Sequence, residues 1–318
     1  MKRRVIIVGI ISLILLTACS IVSPYLDVIQ EKIYDDNNPD PSYLSPNIGK
    51  LVYVPSGSFQ RDSGTENISV VTTPFRMSEY EITRAQFDAI MGTDPSDTSK
   101  SSGTSDPVQR VNWYHAITFC NKLSIREGLE PVYSVANIDF YTLGFSSIPT
   151  SSNSTWDALI VDWSVDGYRL PTEMEWMWAA MGAVDDYTKP FAGSNGSNVI
   201  GDYAVFGYYS DDEGRTMTER SNPVGSKLPN ELGLYDISGN IFEWVWDRYD
   251  NGDSYSDPIG TIYSDTLAGK GPTTGNSRIL RGGFWGSSSG DCTVVNRFTS
   301  GPAGDDYLSL LGFRVVRP

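Results

Sequence analysis

No convincing helix signal occurs in the sequence after Asp185, and this limits the possible folds more than any other property. From there to the C-terminus, short apolar runs alternate with glycines. The whole chain of 318 residues contains 30 glycines and 18 prolines, so many turns are expected. A long helical bundle is therefore excluded.

Three helices are predicted between residues 83 and 185 from their N-terminal signals. Thr83 and Gln86 have capping-box spacing, and Gly92 closes that helix. A second helix begins near Asn112 and places Cys120 on its core-facing side. A third begins at Thr172, where Glu175 completes another capping box.

Strands are predicted where short apolar runs are bounded by turn residues. The run 51–55 favours a strand, and 57–59 continues it after a turn. The stretch from about Tyr133 to Trp163 is rich in serine and threonine, and we interpret it as an irregular surface insertion.

The N-terminus has the pattern of a bacterial lipoprotein signal. Three basic residues precede an apolar stretch, 5–16, that is too short for a membrane span. It ends in Leu-Thr-Ala-Cys, so residues 1–19 are predicted to be a signal peptide with a lipobox and Cys19 to be acylated. The alternative is an ordinary cleaved signal. Segment 20–46, rich in Asp, Asn, Pro and Ser, is predicted to be a tether. The predicted location is the bacterial cell envelope, lipid-anchored; we favour the outer-membrane surface, and the inner membrane remains open.

Charge and rare residues exclude several classes of function. The formal net charge is −15 at pH 7, which argues against binding to nucleic acid. His115 is the only histidine in the sequence, so histidine-rich metal sites are excluded, and we interpret it as a helix residue. Besides Cys19, the chain has Cys120 and Cys292. A disulfide between them and two buried free thiols both remain open, and we favour the thiols.

Several motifs, taken together and in order, resemble the formylglycine-generating-enzyme (sulfatase-modifying-factor) family. The resemblance covers residues 47–318 and implies an α+β domain with a C-type-lectin-like fold and little regular secondary structure. The motifs are Val52–Phe59, Tyr80–Thr83, Pro107–Trp113, Tyr168–Glu173 with Trp176, Asn230–Asn240 with Glu243-Trp244, Arg281–Gly283 and Leu311–Val315.

The resemblance also carries a test for enzymatic activity. Oxidases of the family use two cysteines, five residues apart after Gly-Gly, as thiolate ligands of copper(I). In this chain those positions are Ser287 and Cys292. A hydroxyl cannot replace a thiolate toward copper(I). We therefore expect a non-enzyme that requires no cofactor.

A calcium site is the second feature that the resemblance implies. Calcium-binding members use a side-chain oxygen, two backbone carbonyls and a glutamate. The matching residues here are Asp236, Gly239, Ile241 and Glu243. Hard oxygen ligands of this kind suit a structural calcium ion; the alternative is a loop held by ordinary hydrogen bonds.

The segment after Gly283 resembles the variable region of proteins diversified by retroelements, among them spirochaete surface lipoproteins. Such systems randomise template adenines, so an asparagine codon cannot become Lys, Glu, Gln or Met. None of these four residue types occurs from Phe284 to Leu311. The predicted ligand-binding surface is Phe284, Gly286, Ser287, Ser288, Ser289, Asp291, Thr293, Phe298, Ser300, Ala303, Asp305, Asp306, Tyr307 and Ser309.

A surface-displayed, ligand-binding protein is the function that these observations favour. Its predicted partners are a protein or glycan ligand and, through the lipid anchor, the membrane. Aromatic residues among small polar ones are typical of protein-binding surfaces. Two alternatives remain: an enzyme or enzyme-accessory protein of the family, and a binding or scaffold lipoprotein whose surface does not vary.

Overall fold

All three helices predicted from capping signals are present. In the computed structural model they are α1 (Arg84–Met91), α2 (Trp113–Arg126) and α4 (Glu173–Ala180), and a short α3 (Ser154–Asp157) lies between the last two. Thr83, Asn112 and Thr172 are the N-caps, each with a capping box. The structure describes residues 41–61, 63–65, 67–194, 200–249, 263–264, 275–304 and 308–318, and after residue 185 these contain no α-helix.

The strands are short and form several small sheets. In chain order they are β1 (Tyr43–Ser45), β2 (Gly49–Val54), β3 (Gly57–Gln60), β4 (Ile68–Val71), β5 (Phe75–Ser78), β6 (Tyr133–Ser134), β7 (Ile160–Val161), β8 (Phe242–Tyr249), β9 (Tyr263–Ser264), β10 (Ser277–Arg281), β11 (Phe298–Ser300), β12 (Leu311–Gly312) and β13 (Val316–Arg317). Turns of 3-10 helix occur at Thr98–Lys100, Phe145–Ser147, Ile200–Asp202, Ser289–Cys292 and Leu308–Leu310.

Two four-stranded sheets join distant parts of the chain. The first has the order β1-β2-β5-β13 and the second β11-β10-β8-β12. β10 lies antiparallel to both β8 and β11, with Leu280 opposite Trp244 on one side and Phe298 on the other. Strands β10 and β11 of the second sheet come directly before and after the segment 282–297, so the sheet fixes both ends of that segment. Predicted strands 51–55 and 57–59 correspond to β2 and β3, which belong to different sheets.

β1 lies ahead of residue 47, where the sequence resemblance begins. Tyr43 is opposite Leu51 of β2 in an antiparallel pair, and Ser42–Pro318 form one compact unit. The predicted signal peptide, Cys19 and residues 20–40 of the predicted tether lie outside the described residues. Within the described ranges, no helix has the length and apolar character needed to cross a membrane.

The serine-rich segment from Tyr133 to Trp163 lies largely at the surface, as predicted, but several of its apolar residues belong to the core. Val135, Phe140, Ile148 and Trp156 are buried in the same core cluster as α2. The Trp156 ring lies 5.5 Å from the Tyr114 ring. These apolar residues are too irregularly spaced to give a helix or strand pattern. Among so many serines, the sequence therefore did not indicate that they are buried.

The predicted positions of Cys120 and His115 are confirmed. Cys120 is fully buried, and in the described chain both it and Cys292 are free thiols. His115 lies in the first turn of α2, where its ring stacks on Phe145 at 4.6 Å. Burial lowers the His115 pKa to about 4, so the ring is neutral and serves packing and capping.

Candidate functional site

A cavity opens beside the segment that follows the Gly282-Gly283 pair. Its volume is about 560 Å³. The walls come from β8, β10 and β11, from the segment 284–291, and from a loop around Tyr209. The lining residues are Tyr209, Ser210, Phe242, Tyr249, Leu280, Phe284, Gly286, Ser287, Ser288, Asp291, Arg297, Phe298 and Thr299.

Aromatic rings form much of the cavity wall. The Phe242 ring lies 5.3 Å from that of Phe284 and 4.7 Å from that of Phe298. Phe242 is buried, whereas Phe284 and Phe298 are half-buried. Rings held in this way are rigid, apolar contacts that lose little conformational entropy on binding.

The segment 284–287 is a tight turn held by its own main chain and by Ser287. The Ser287 N–H donates to the Phe284 carbonyl at 2.9 Å, and the Phe284 N–H donates to Ser287 Oγ at 3.2 Å. Between them, Gly286 is enclosed by two rings. A Cβ at this position would lie 2.6 Å from both Phe284 Cε2 and Tyr209 Cδ2.

The loop around Tyr209 is joined to this turn through the backbone. The Gly207 N–H donates to the Ser287 carbonyl at 2.7 Å, and the Tyr208 N–H donates to the Trp285 carbonyl at 3.2 Å. Tyr209 packs on Trp285 at 5.5 Å between ring centroids, and its hydroxyl donates to Glu219 at 3.1 Å. Although 64% exposed, Tyr209 is therefore held in place as one wall.

Two carboxylates define the rim: Asp291 lines the cavity, and Asp212 accepts a hydrogen bond from Ser210, which also lines it. Ser288 Oγ donates to Asp291 Oδ2 at 2.8 Å, and the Ser289 N–H donates to Asp212 Oδ2 at 2.6 Å. The hydrogen bond from the Ser289 backbone holds the pKa of Asp212 below its usual range. The rim is thus negatively charged.

Below the cavity, a buried ion-pair cluster fixes the course of the chain. Glu173 at the start of α4 pairs with both Arg281 and Arg297. Arg281 also donates to the carbonyls of Val294 and Asn296, at 3.1 and 2.8 Å. Asp247 accepts the Glu173 N–H at 2.6 Å, and burial, with the Glu173 charge adding to it, raises the pKa of Asp247 to about 7.

Six of the predicted surface residues line the cavity: Phe284, Gly286, Ser287, Ser288, Asp291 and Phe298. Ser289, Thr293, Ser300 and Ser309 are partly exposed nearby in sequence but do not line it. Asp305, Asp306 and Tyr307 lie outside the described residues. Ala303 is a correction, because only 2% of it is exposed and it packs in the main core.

The sequence did not indicate the rest of the cavity wall. Tyr209 and Ser210 come from a loop that precedes the recognised motifs around Asn230, and Phe242 and Tyr249 from β8. Tyr209 and Ser210 carry no spacing pattern that places them beside residue 286. Their position follows from the backbone pairing just described, which only the folded chain shows.

Ser287 and Cys292 do not form a thiolate pair. Cys292 is fully buried, and a Cβ on Gly283 would lie 2.7 Å from its Sγ. Burial raises the pKa of the Cys292 thiol, and the charges of Asp291 and Asp212 raise it further. The thiol is therefore protonated and packed in an apolar cluster with Phe206.

Two of the four predicted calcium ligands, Asp236 and Glu243, are engaged by other groups of the protein in this arrangement. Arg314 donates to both oxygens of Glu243 at 2.7–2.9 Å, and the Trp176 indole donates to Oε2 at 2.8 Å. Asp236, which precedes Gly239 and Ile241 on the loop, accepts the Gly225 N–H at 2.7 Å through Oδ2, while Oδ1 has no hydrogen-bond partner among the described residues. Burial raises the pKa of Asp236 to about 6. Thus Glu243 is already neutralised by an arginine.

Comparison with known proteins decides the family. The model of the sulfatase-modifying factor enzyme 1-like domain matches residues 38–318. The chain belongs to this family. The fold is accordingly the C-type-lectin-like α+β fold that the motifs implied.

A solved structure, Treponema denticola variable protein 1, is similar over most of this family domain. It has a TM-score of 0.75 and 34% identity, and the match covers 89% of this chain and all (100%) of that one. This chain is therefore similar in structure to a protein whose name describes it as variable.

Two curated relatives represent other parts of the family. The chaperone protein LppX of Paenibacillus barcinonensis is 31% identical over 84% of this chain and 89% of its own length. The formylglycine-generating enzyme of Thermomonospora curvata is 30% identical over 50% of this chain, and the match spans 52% of the enzyme. The relatives of this chain therefore include a protein named as an enzyme and a protein named as a chaperone.

Proposed function

We propose that this chain is a lipid-anchored surface protein that binds a protein or glycan ligand through a diversified C-terminal surface and lacks oxidase activity. The observation that carries the proposal is the cavity, whose wall includes six of the residues predicted to form the variable surface. The similarity to Treponema denticola variable protein 1 supports the same interpretation.

The arrangement of the segment suits a surface that changes while its frame does not. Trp285, Cys292 and Arg297 are buried or paired with the body of the domain. Beside them in the sequence, Phe284, Ser288 and Asp291 are partly exposed. Substitutions at the exposed positions leave the frame intact, so many sequences are compatible with one backbone.

Sequencing tests the diversification directly. In a population of related cells, we expect codons for Phe284, Ser288, Asp291 and Phe298 to differ. Codons for Trp285, Cys292 and Arg297 are expected to stay fixed. The segment 230–244 of the same gene is the internal control. We also expect a neighbouring reverse transcriptase and a near-copy of this segment that differs at template adenines.

Equal diversity in both segments, or absence of the reverse transcriptase and the near-copy, would refute a diversified surface. A binding protein whose surface does not vary would then be the better interpretation. The similarity to a protein named as a chaperone supports that alternative.

Anchoring is tested by incorporation of a labelled fatty acid. The full chain is expected to take up label in a bacterial host and Cys19→Ser to take up none. Protease treatment of intact cells then reports display, since a surface protein is cleaved without lysis. Label on Cys19→Ser, or full protection in intact cells, would contradict anchoring or display respectively.

Oxidase activity is the competing function, supported by the formylglycine-generating enzymes among the relatives. Because Ser287 cannot ligate copper(I) and the Cys292 thiol is buried, no copper-dependent oxidation of a cysteine-containing peptide is expected. Ser287→Cys restores the two sulfurs at the sequence spacing and is the informative companion. Turnover by the natural chain would overturn this part of the proposal.

A further inference from the structure

We infer that the cavity recognises a basic side chain, lysine or arginine, presented by a protein ligand. This inference rests on the proposed function and specifies what its site binds. It follows from three features of the cavity: its aromatic walls, the carboxylates at its rim, and Arg297 in its wall, whose charge is neutralised by Glu173.

The walls suit the apolar stem of such a side chain. Phe242, Phe284 and Phe298 form one continuous aromatic surface, with ring centroids at most 5.3 Å apart between neighbours. Lysine and arginine bury their methylene stems along apolar surface while the charged group reaches toward water. Aromatic faces also attract cations directly.

The rim supplies negative charge. Asp291 lines the cavity and, within the part of the chain that the structure describes, accepts from the Ser288 hydroxyl and, at 3.4 Å, from the Asn296 amide. Asp212 accepts from the Ser289 N–H and from Ser210 Oγ at 3.0 Å. These donors are neutral. A carboxylate can accept about four hydrogen bonds, so both retain capacity for a cationic donor.

The positive charge of Arg297, which lines the cavity, does not neutralise the carboxylates at the rim. Arg297 donates from Nε and Nη2 to the two oxygens of Glu173, whose side chain is buried. Its guanidinium is therefore committed within the ion-pair cluster below the cavity. Lys100, whose Nζ lies 5.6 Å from the centroid of the Trp285 ring, pairs with Glu219 at 2.6 Å. Asp211, which directly precedes Asp212 in the sequence, pairs with Arg215 at 3.0 Å.

Small probes of matched shape test the sign of the preference. Hexylammonium, hexan-1-ol and hexanoate share an apolar stem and differ in charge. Titration of the full chain by NMR at fixed ionic strength is expected to give dissociation constants on the order of millimolar. Hexylammonium is expected to bind about tenfold more tightly than hexan-1-ol, and hexanoate more weakly than either.

Variants assign the preference to the cavity. Asp291→Asn keeps the shape and an acceptor for Ser288, and it should bring hexylammonium to the affinity of hexan-1-ol. Asp211→Asn removes a nearby carboxylate that does not line the cavity, and it should change neither. Phe298→Ser should weaken both probes alike. Unfolding curves for each variant verify that it is folded.

The outcomes separate this inference from the function on which it rests. Equal affinity for hexylammonium and hexan-1-ol, tighter binding of hexanoate, or an unchanged preference in Asp291→Asn would overturn the inference and leave an apolar ligand site standing. Failure of all three probes to bind would count against both the cation preference and the cavity as a ligand site.

Discussion

The two faces of the segment from Arg281 to Phe298 are held by different interactions. On the inner face, Arg281 and Arg297 are bound by the buried Glu173, and Cys292 is packed out of solvent. On the outer face, Ser288 and Asp291 mainly contact each other and neighbouring polar groups. The contrast teaches that this domain separates the residues that set its backbone from those that meet a ligand.

The largest expected difference between the faces is in stability. Arg281→Met leaves the buried Glu173 with one partner fewer and frees the carbonyls of Val294 and Asn296. We expect a loss of about 3–5 kcal/mol in the free energy of unfolding. Asp291→Asn on the outer face should lose less than about 0.5 kcal/mol. Urea unfolding followed by tryptophan fluorescence measures both, and similar losses would remove the distinction.

The inner face should also make stability depend on pH. Because the folded-state pKa of Asp247 is raised to about 7, its stabilising contribution is complete below the unfolded pKa near 4 and is lost as pH rises through 7. Relative to Asp247→Asn, the natural chain should lose about 2 to 3 kcal/mol between pH 5 and pH 8.

Comparison with the variant is needed because other buried groups titrate in the same range. Burial lowers the pKa of His115 to about 4 and raises that of Asp236 to about 6, and their effects cancel in the difference. Stability curves that stay parallel for the natural chain and Asp247→Asn would show that Asp247 is ionised throughout.

A smaller effect is expected where the outer face meets the loop around Tyr209. Gly286→Ala places a methyl group 2.6 Å from two rings, so Tyr209 must shift, at a cost of about 1 kcal/mol. Gly290→Ala is the control, because its Cβ would meet nothing nearer than 3.8 Å. Thermal unfolding measures both. An unaffected Gly286→Ala would mean that Tyr209 moves freely.

The sequence predicted the elements that local signals specify. The capping boxes at Thr83 and Thr172 and the helical spacing after Asn112 gave the helices correctly, because these signals depend on side chains within a few turns of the backbone. The predicted variable segment also supplied part of the cavity wall, since those residues are consecutive.

What the sequence could not predict depends on long-range pairing. Tyr209 reaches the cavity only because Gly207 and Tyr208 hydrogen-bond to residues almost eighty positions later. Ala303 was placed on the surface because its neighbours in sequence are small and polar, yet tertiary packing buries it. Likewise, the commitment of Glu243 to Arg314 joins two motifs that look independent in the sequence.

The smallest expected effect is that of calcium on the melting temperature. It tests whether the loop around Glu243 is held by side-chain ion pairs alone. Since both oxygens of Glu243 accept from Arg314, removal of calcium with a chelator should not change the melting temperature. Arg314→Met is the informative companion, because it frees Glu243 and should create a calcium-dependent increase in melting temperature if Asp236 then joins it as a ligand. A chelator-induced decrease in the natural chain would mean instead that Arg314 yields to the metal, and that Asp236, Gly239, Ile241 and Glu243 bind calcium as the family resemblance implies.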